Sequence, residues 1–215
     1  MQRSILLINP NSNAQTTSAM VEIAGEAAKT STIHGVTMTG VPPIITTPDA
    51  LDQAAEAVSQ TPIDNNYGAV VVAAFGDPGL DRLRARLPVP VVGIAEASLL
   101  EAGQNRRLFS IATTTPALGP RITQKATQLG LTAECVSVRF TKGDPFVVMA
   151  DTDRLVEALA KTIDQCVGDG AEAVVIGGGP LAKAARVLKP HFDVPIIEPI
   201  VSAVALAEAR IDTAG

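Results

Sequence analysis

Tryptophan is absent from this 215-residue chain, tyrosine occurs once, and the aromatic residues together make up 3%. Binding of single-stranded nucleic acid by base stacking needs several exposed rings, so that class is disfavoured. The formal net charge of −5 argues the same way for duplexes. The one basic run, Arg82-Leu-Arg-Ala-Arg86, is too short to mark a nucleic-acid footprint. Cysteine is nearly missing too: Cys135 and Cys166 can form neither a zinc cage nor a disulfide framework, and both read as buried, inert packing. The two histidines, His34 and His191, fall in expected loops with no Cys or carboxylate cluster beside them, so no metal site is expected. Long apolar runs are lacking as well. The first stops at Asn9, short of a signal-peptide core, and none approaches the roughly 20 residues that span a bilayer. A cytoplasmic protein without membrane or nucleic-acid partners is expected.

What is present is a large apolar share, 47%, against 18% charged residues, enough for a packed core. The chain also repeats itself. Gly68-Ala-Val-Val-Val-Ala-Ala-Phe-Gly76 is matched by Gly170-Ala-Glu-Ala-Val-Val-Ile-Gly-Gly-Gly179, 102 residues on. Val89-Pro-Val-Val92 is matched by Val194-Pro-Ile-Ile197, 105 residues on, and Ile5-Leu-Leu-Ile8 more weakly by Leu108-Phe-Ser-Ile111, 103 residues on. Three agreeing spacings in chain order indicate a duplicated unit, with a period too long for a solenoid. The halves are expected at about 1–95 with 205–215, and 96–204, exchanging strands at their boundaries.

Hydrophobic patterning predicts strands at 5–8, 36–39, 69–74, 90–94, 108–112, 133–139, 172–177 and 194–197. Helices are predicted from 14 to about Lys29, from Thr47-Pro48 to Gln60, over 80–86, from Glu96, up to Gly130, from Asp151 to Gly168, and over 181–187 and 200–210. Thr47 is the expected cap of the second helix with Pro48 at its first position. The long helix is expected to be capped by Thr152 or Asp153, and residues 140–150 read as a loop. Strands that are continuous apolar runs alternating with helices signify an α/β fold of mostly parallel sheets covered on both faces. Two pseudo-symmetric halves of this kind place a ligand in the cleft between them, beyond the carboxyl ends of the strands.

Those ends carry the candidate residues. Asp77, Glu96 and Glu198 are the candidate acids or bases, since a carboxylate in a half-apolar pocket can have its pKa raised toward neutrality. Asp77 also reads as a turn or helix cap and Glu96 as a cap or structural hydrogen bond, while Glu198 ends the equivalent strand two places off the Glu96 register. Asn11, Thr114 and Thr115 could orient a ligand or hold an oxyanion, and Ala74, Phe75, Gly178 and Gly179 sit where backbone would meet ligand. Gly177-Gly-Gly179 lacks dinucleotide-fingerprint spacing and is followed by Pro180. Lys183 reads as a surface residue.

The segments Ile8-Asn-Pro-Asn-Ser-Asn13, Ala74-Phe-Gly-Asp-Pro-Gly-Leu80, Pro90-Val-Val-Gly-Ile-Ala-Glu-Ala97, Phe109-Ser-Ile-Ala-Thr-Thr-Thr115 and Asp169-Gly-Ala-Glu-Ala-Val-Val-Ile-Gly177 span nearly the whole chain. Through them it resembles the aspartate/glutamate/hydantoin racemase superfamily, nearest its hydantoin and allantoin racemases. The resemblance implies a cofactor-independent homo-oligomer acting on a small anionic or ureido-containing molecule. It also implies two catalytic cysteines, one on each side of a flat carbanion, at the positions held here by Ala74 and Gly178. Neither residue can carry a proton. Three readings stay open: an enzyme using carboxylate-assisted isomerisation or hydrolysis on a hydantoin-like compound, a ligand-binding protein that has lost catalysis, and an engineered cysteine-free variant of such a racemase.

Overall fold

The computed structural model describes residues 3–64 and 66–214. Its first sheet contains β1 (Arg3–Asn9), β2 (Ser31–Thr37), β3 (Ala69–Val72) and β4 (Val91–Gly93) in the order β2-β1-β3-β4. The second contains β5 (Phe109–Thr113), β6 (Cys135–Phe140), β7 (Ala173–Ile176) and β8 (Ile196–Ile197) in the order β6-β5-β7-β8. Every pairing is parallel. β3 and β7 are buried along their whole length, which is why both read as unbroken apolar runs.

The helices are α1 (Ala14–Ala27), α2 (Pro48–Gln60), α3 (Leu80–Arg86), α4 (Ile94–Ala102), α5 (Gly119–Gln128), α6 (Pro145–Met149), α7 (Thr152–Gly168), α8 (Ala182–Leu188) and α9 (Pro199–Ala214). Local chemistry starts several of them. Asn13 accepts the N–H of Thr16 at 3.1 Å to cap α1, and Thr47 accepts that of Ala50 at 3.2 Å ahead of Pro48. Among the described residues no helix is long and apolar enough to cross a membrane.

Two helices pack against the sheet that they do not follow in sequence. α4 contributes Ala95, Leu99 and Ala102 to a core with Phe109, Ile111 and Val175 of the second sheet. α9 contributes Ile200, Ala203, Val204 and Ala207 to a core with Ile5, Leu7 and Val71 of the first. Each sheet therefore borrows one covering helix from beyond the other strand series.

Several local expectations are corrected. β2 begins at Ser31 and ends at Thr37, earlier than the expected 36–39, because its whole length pairs with β1 as a half-exposed edge strand and carries little apolar signal. The supposed loop 140–150 contains α6, started by Asp144, whose side chain accepts the N–H of Phe146 at 2.8 Å. The cap of α7 is Asp151, accepting the N–H of Arg154 at 2.8 Å, rather than Thr152 or Asp153. α4 begins at Ile94, so Glu96 lies inside its first turn.

Candidate functional site

The strand order makes β1 and β3 the counterparts of β5 and β7. Ile5 pairs with Ala69 in one sheet and Phe109 with Ala173 in the other. Counting forward from those pairs matches Asn11 with Thr115, Ala74 with Gly178, and Phe75 with Gly179. A cleft of about 480 Å³, including its open mouth, lies where these strand ends meet. All seven residues expected to contact ligand line it: Asn11, Ala74, Phe75, Thr114, Thr115, Gly178 and Gly179.

The polar side of the cleft is held by its own hydrogen bonds. Buried Asn9 donates through Nδ2 to Asn11 Oδ1 at 2.9 Å, to the Asn13 carbonyl at 3.1 Å and to Thr17 Oγ1 at 2.9 Å. Asn11 Oδ1 also accepts the N–H of Asn13 at 2.9 Å. With that oxygen doubly engaged, the amide –NH₂ of Asn11 is what it offers a ligand. Thr113 donates to the Gly177 carbonyl at 2.6 Å, locking the ends of β5 and β7 together. Among the described residues the Thr114 hydroxyl faces only the weak thioether acceptor Met149 Sδ at 3.5 Å, so a carbonyl or carboxylate oxygen would be a better partner.

Close approach of the two halves depends on Gly179. A Cβ there would stand 2.6 Å from Met20 Sδ and 2.9 Å from the Ala73 carbonyl oxygen. The apolar wall is completed by Ile44, Ile45, Leu118 and Met149. Sequence reasoning missed Ile44, Ile45 and Met149, which lie in irregular or very short segments. The available signal was the matched glycines Gly40 (φ 72°) and Gly143 (φ 101°), each three residues beyond its edge strand.

The structure places none of the three candidate carboxylates in the cleft lining. Asp77 is turned into the protein, accepting the N–H groups of Ala95 and Glu96 at 2.8 and 2.9 Å, with Lys125 Nζ 3.4 Å away. Burial pushes its carboxyl above the ordinary aspartate range, against the opposing pull of Lys125 and the two N–H groups. Glu96 pairs with Arg84 and, at 3.0 Å, with Arg210, and reaches back toward the N–H of Gly93 at 3.4 Å. Burial works to raise its pKa, but the two guanidinium groups outweigh it and hold the carboxyl below the ordinary glutamate value.

Glu198 accepts from Lys189 at 2.8 Å and Arg186 at 3.3 Å. Arg84–Glu96 and Arg186–Glu198 span the same twelve residues of chain, so the duplication has produced matched ion pairs beneath β4 and β8. Such buried carboxylates require pairing to stay charged, and pairing removes them from use at a cleft they do not face. The cysteines are equally remote from reaction: burial pushes Cys135 up to about 11 and Cys166 up to about 12.

Residues 5–207 match the Asp/Glu/hydantoin racemase family. The chain is 30% identical to a hydantoin racemase of Paenarthrobacter aurescens, covering 96% of this chain and 90% of that protein. The crystal structure of an allantoin racemase from Pseudomonas fluorescens superposes with a TM-score of 0.91 at 27% identity, covering 98% of this chain and 91% of the other. An allantoin racemase from Klebsiella pneumoniae gives 0.86 at 27% identity, with 98% and 88% covered.

Proposed function

The chain belongs to the Asp/Glu/hydantoin racemase family, and from that premise we propose that its cleft binds a small hydantoin-like or ureido carbonyl compound without side-chain acids or bases to move the ligand's proton. The observation that carries this reading is the lining itself. Among the described residues it holds hydroxyl, amide, glycine and apolar groups, and no Asp, Glu, His, Cys, Lys, Arg or Tyr.

A thiol pair facing a carbanion, which the family resemblance implies at Ala74 and Gly178, is replaced by a methyl group and a hydrogen. Loss of one general acid or base costs about 10²–10⁴-fold in rate. What remains is recognition chemistry. The Asn11 amide and the Thr114 hydroxyl suit a carbonyl or ureido oxygen, and Ile44, Ile45, Leu118 and Met149 suit an apolar substituent. With no counter-charge in the lining, an uncharged ring is favoured over a free carboxylate. Asp77, Glu96 and Glu198 then belong to the scaffold.

Titration with 5-substituted hydantoins and ureido acids, read by amide nitrogen–proton spectra, tests the site. Saturable shifts confined to Asn11, Ala74, Thr114 and Gly178 and their neighbours are expected. No saturable shift with any member would contradict the proposal.

An isomerase reading is favoured by the family match and by the 30% identity to a hydantoin racemase over 96% of the chain. That reading needs water, in the space over Ala74 and Gly178, to carry the proton.

A further inference from the structure

Asp77 combines three features that turn-forming or capping alone does not require. Its φ of 51° is in the left-handed region, which non-glycine residues enter rarely. Its side chain is wholly out of solvent, and Lys125 beside it is 14% exposed. Room for the carboxylate exists because residue 93 is glycine: a Cβ there would overlap Asp77 Cγ and both carboxylate oxygens.

One partner, Lys125, lies across the cleft from the strand that Asp77 follows, while the other two come directly after β4, the neighbour of that strand in the first sheet. Ala95 and Glu96 open α4, which packs on both sheets, with Ile94 and Ala97 in the core of the first and Leu99 and Ala102 in that of the second. Lys125 lies on α5, which packs Ile122 and Ala126 into the second core alone, so it is the Asp77–Lys125 pair that joins the halves. One turn earlier on α5, Arg121 pairs with Asp52 of α2 at 2.9 Å. Both cations of α5 therefore reach toward the first half. Ala74 and Phe75, just before Asp77, line the cleft on one side, and Thr113, Thr114, Thr115 and Leu118, just before α5, line it too.

We propose that Asp77 and Lys125 are positioning residues, a clamp across the two halves that fixes the separation of the cleft walls carrying Ala74 and Thr114. This rests on the reading of the cleft as the binding site for its importance, though not for its test. Without Lys125 the carboxylate keeps its α4 contacts but loses the link to α5, so the walls part more often while the two sheets stay folded.

The test uses a reporter thiol and needs no ligand. Ala74→Cys is modified with 4,4′-dithiodipyridine, and labelling is located by mass spectrometry. Cys135, half-buried on the edge strand of the second sheet, serves as internal control. Adding Lys125→Gln is expected to speed labelling at position 74 about tenfold and to leave Cys135 unchanged, the mark of a local opening. Lys125→Arg is expected to hold the rate within about threefold of the parent. An unchanged rate at position 74 in Lys125→Gln, or an equal rise at both thiols, would overturn the clamp.

Discussion

Gly93→Ala is the sharpest single perturbation of the scaffold. The backbone at residue 93 has φ −97° and ψ 146°, which alanine adopts freely, so the main chain itself resists nothing. The damage comes from the methyl group, which would occupy the space of the Asp77 carboxylate. That carboxylate must swing away and give up its two N–H bonds to Ala95 and Glu96. Charge-assisted bonds of this kind contribute about 1.5–3 kcal/mol each. Overpacking adds about 1–3 kcal/mol, while the stiffer unfolded chain returns about 0.4–1. A net loss of about 3–9 kcal/mol follows from these terms, a large part of the ~5–15 kcal/mol that holds a typical domain folded. Urea unfolding followed by far-UV circular dichroism should show a lower midpoint at unchanged slope. Asp77→Ala added to Gly93→Ala should cost little more, because the interaction is already gone. A loss below about 1 kcal/mol, or full additivity of the two changes, would refute the placement of Asp77.

Three further outcomes are expected. Glu208 accepts the N–H groups of Lys29, Thr30 and Ser31 at 3.1, 2.9 and 3.0 Å; burial works to raise its pKa, but these donors outweigh it and hold it below the ordinary value. The stabilisation is therefore present above about pH 4.3 and is lost as pH falls through the depressed value. Glu208→Gln should cost about 2 kcal/mol at neutral pH, with the gap to the parent narrowing in urea titrations below about pH 4. Gly25→Ala, in α1 with nothing within 4 Å of the added methyl group, should raise stability by about 0.5–1 kcal/mol in the same assay. Ala74→Cys combined with Gly178→Cys should confer exchange of the hydantoin 5-proton for deuterium, once the backbone at residue 178 shifts from its φ of 157°, which strains any side chain, and Leu181 yields a few tenths of an ångström to the new Cβ at 3.1 Å. A folded double variant with no exchange would contradict the matching of 74 with 178.

The elements that sequence revealed best are those whose pattern depends on one physical cause. Burial on both faces wrote β3 and β7 as unbroken apolar runs, and Thr47-Pro48 announced α2 through capping and a fixed φ. β2 was misplaced because an edge strand exposes half its residues and mixes Ser, His and Gly among the rest. α6 was missed although Asp144-Pro145 is a cap followed by a first-turn proline, because a five-residue helix has too few turns to show periodicity. In the cleft, the strand-end residues were legible from the duplication. The fates of Asp77, Glu96 and Glu198 were not, since Lys125, Arg210 and Lys189 are brought in without pattern in the chain, and the repeated Arg84–Glu96 and Arg186–Glu198 spacing gains meaning only once both are seen as ion pairs.

The central claim is a cleft that recognises a carbonyl ring and holds no group to move its proton. Incubating the protein at saturating concentration with a single enantiomer of a 5-substituted hydantoin in D₂O, while following the 5-proton by NMR and rotation by polarimetry, tests this most directly. Binding without deuteration or racemisation above the protein-free rate is the predicted result. Saturable, protein-dependent deuteration that falls when Thr114 is replaced by Val would contradict it.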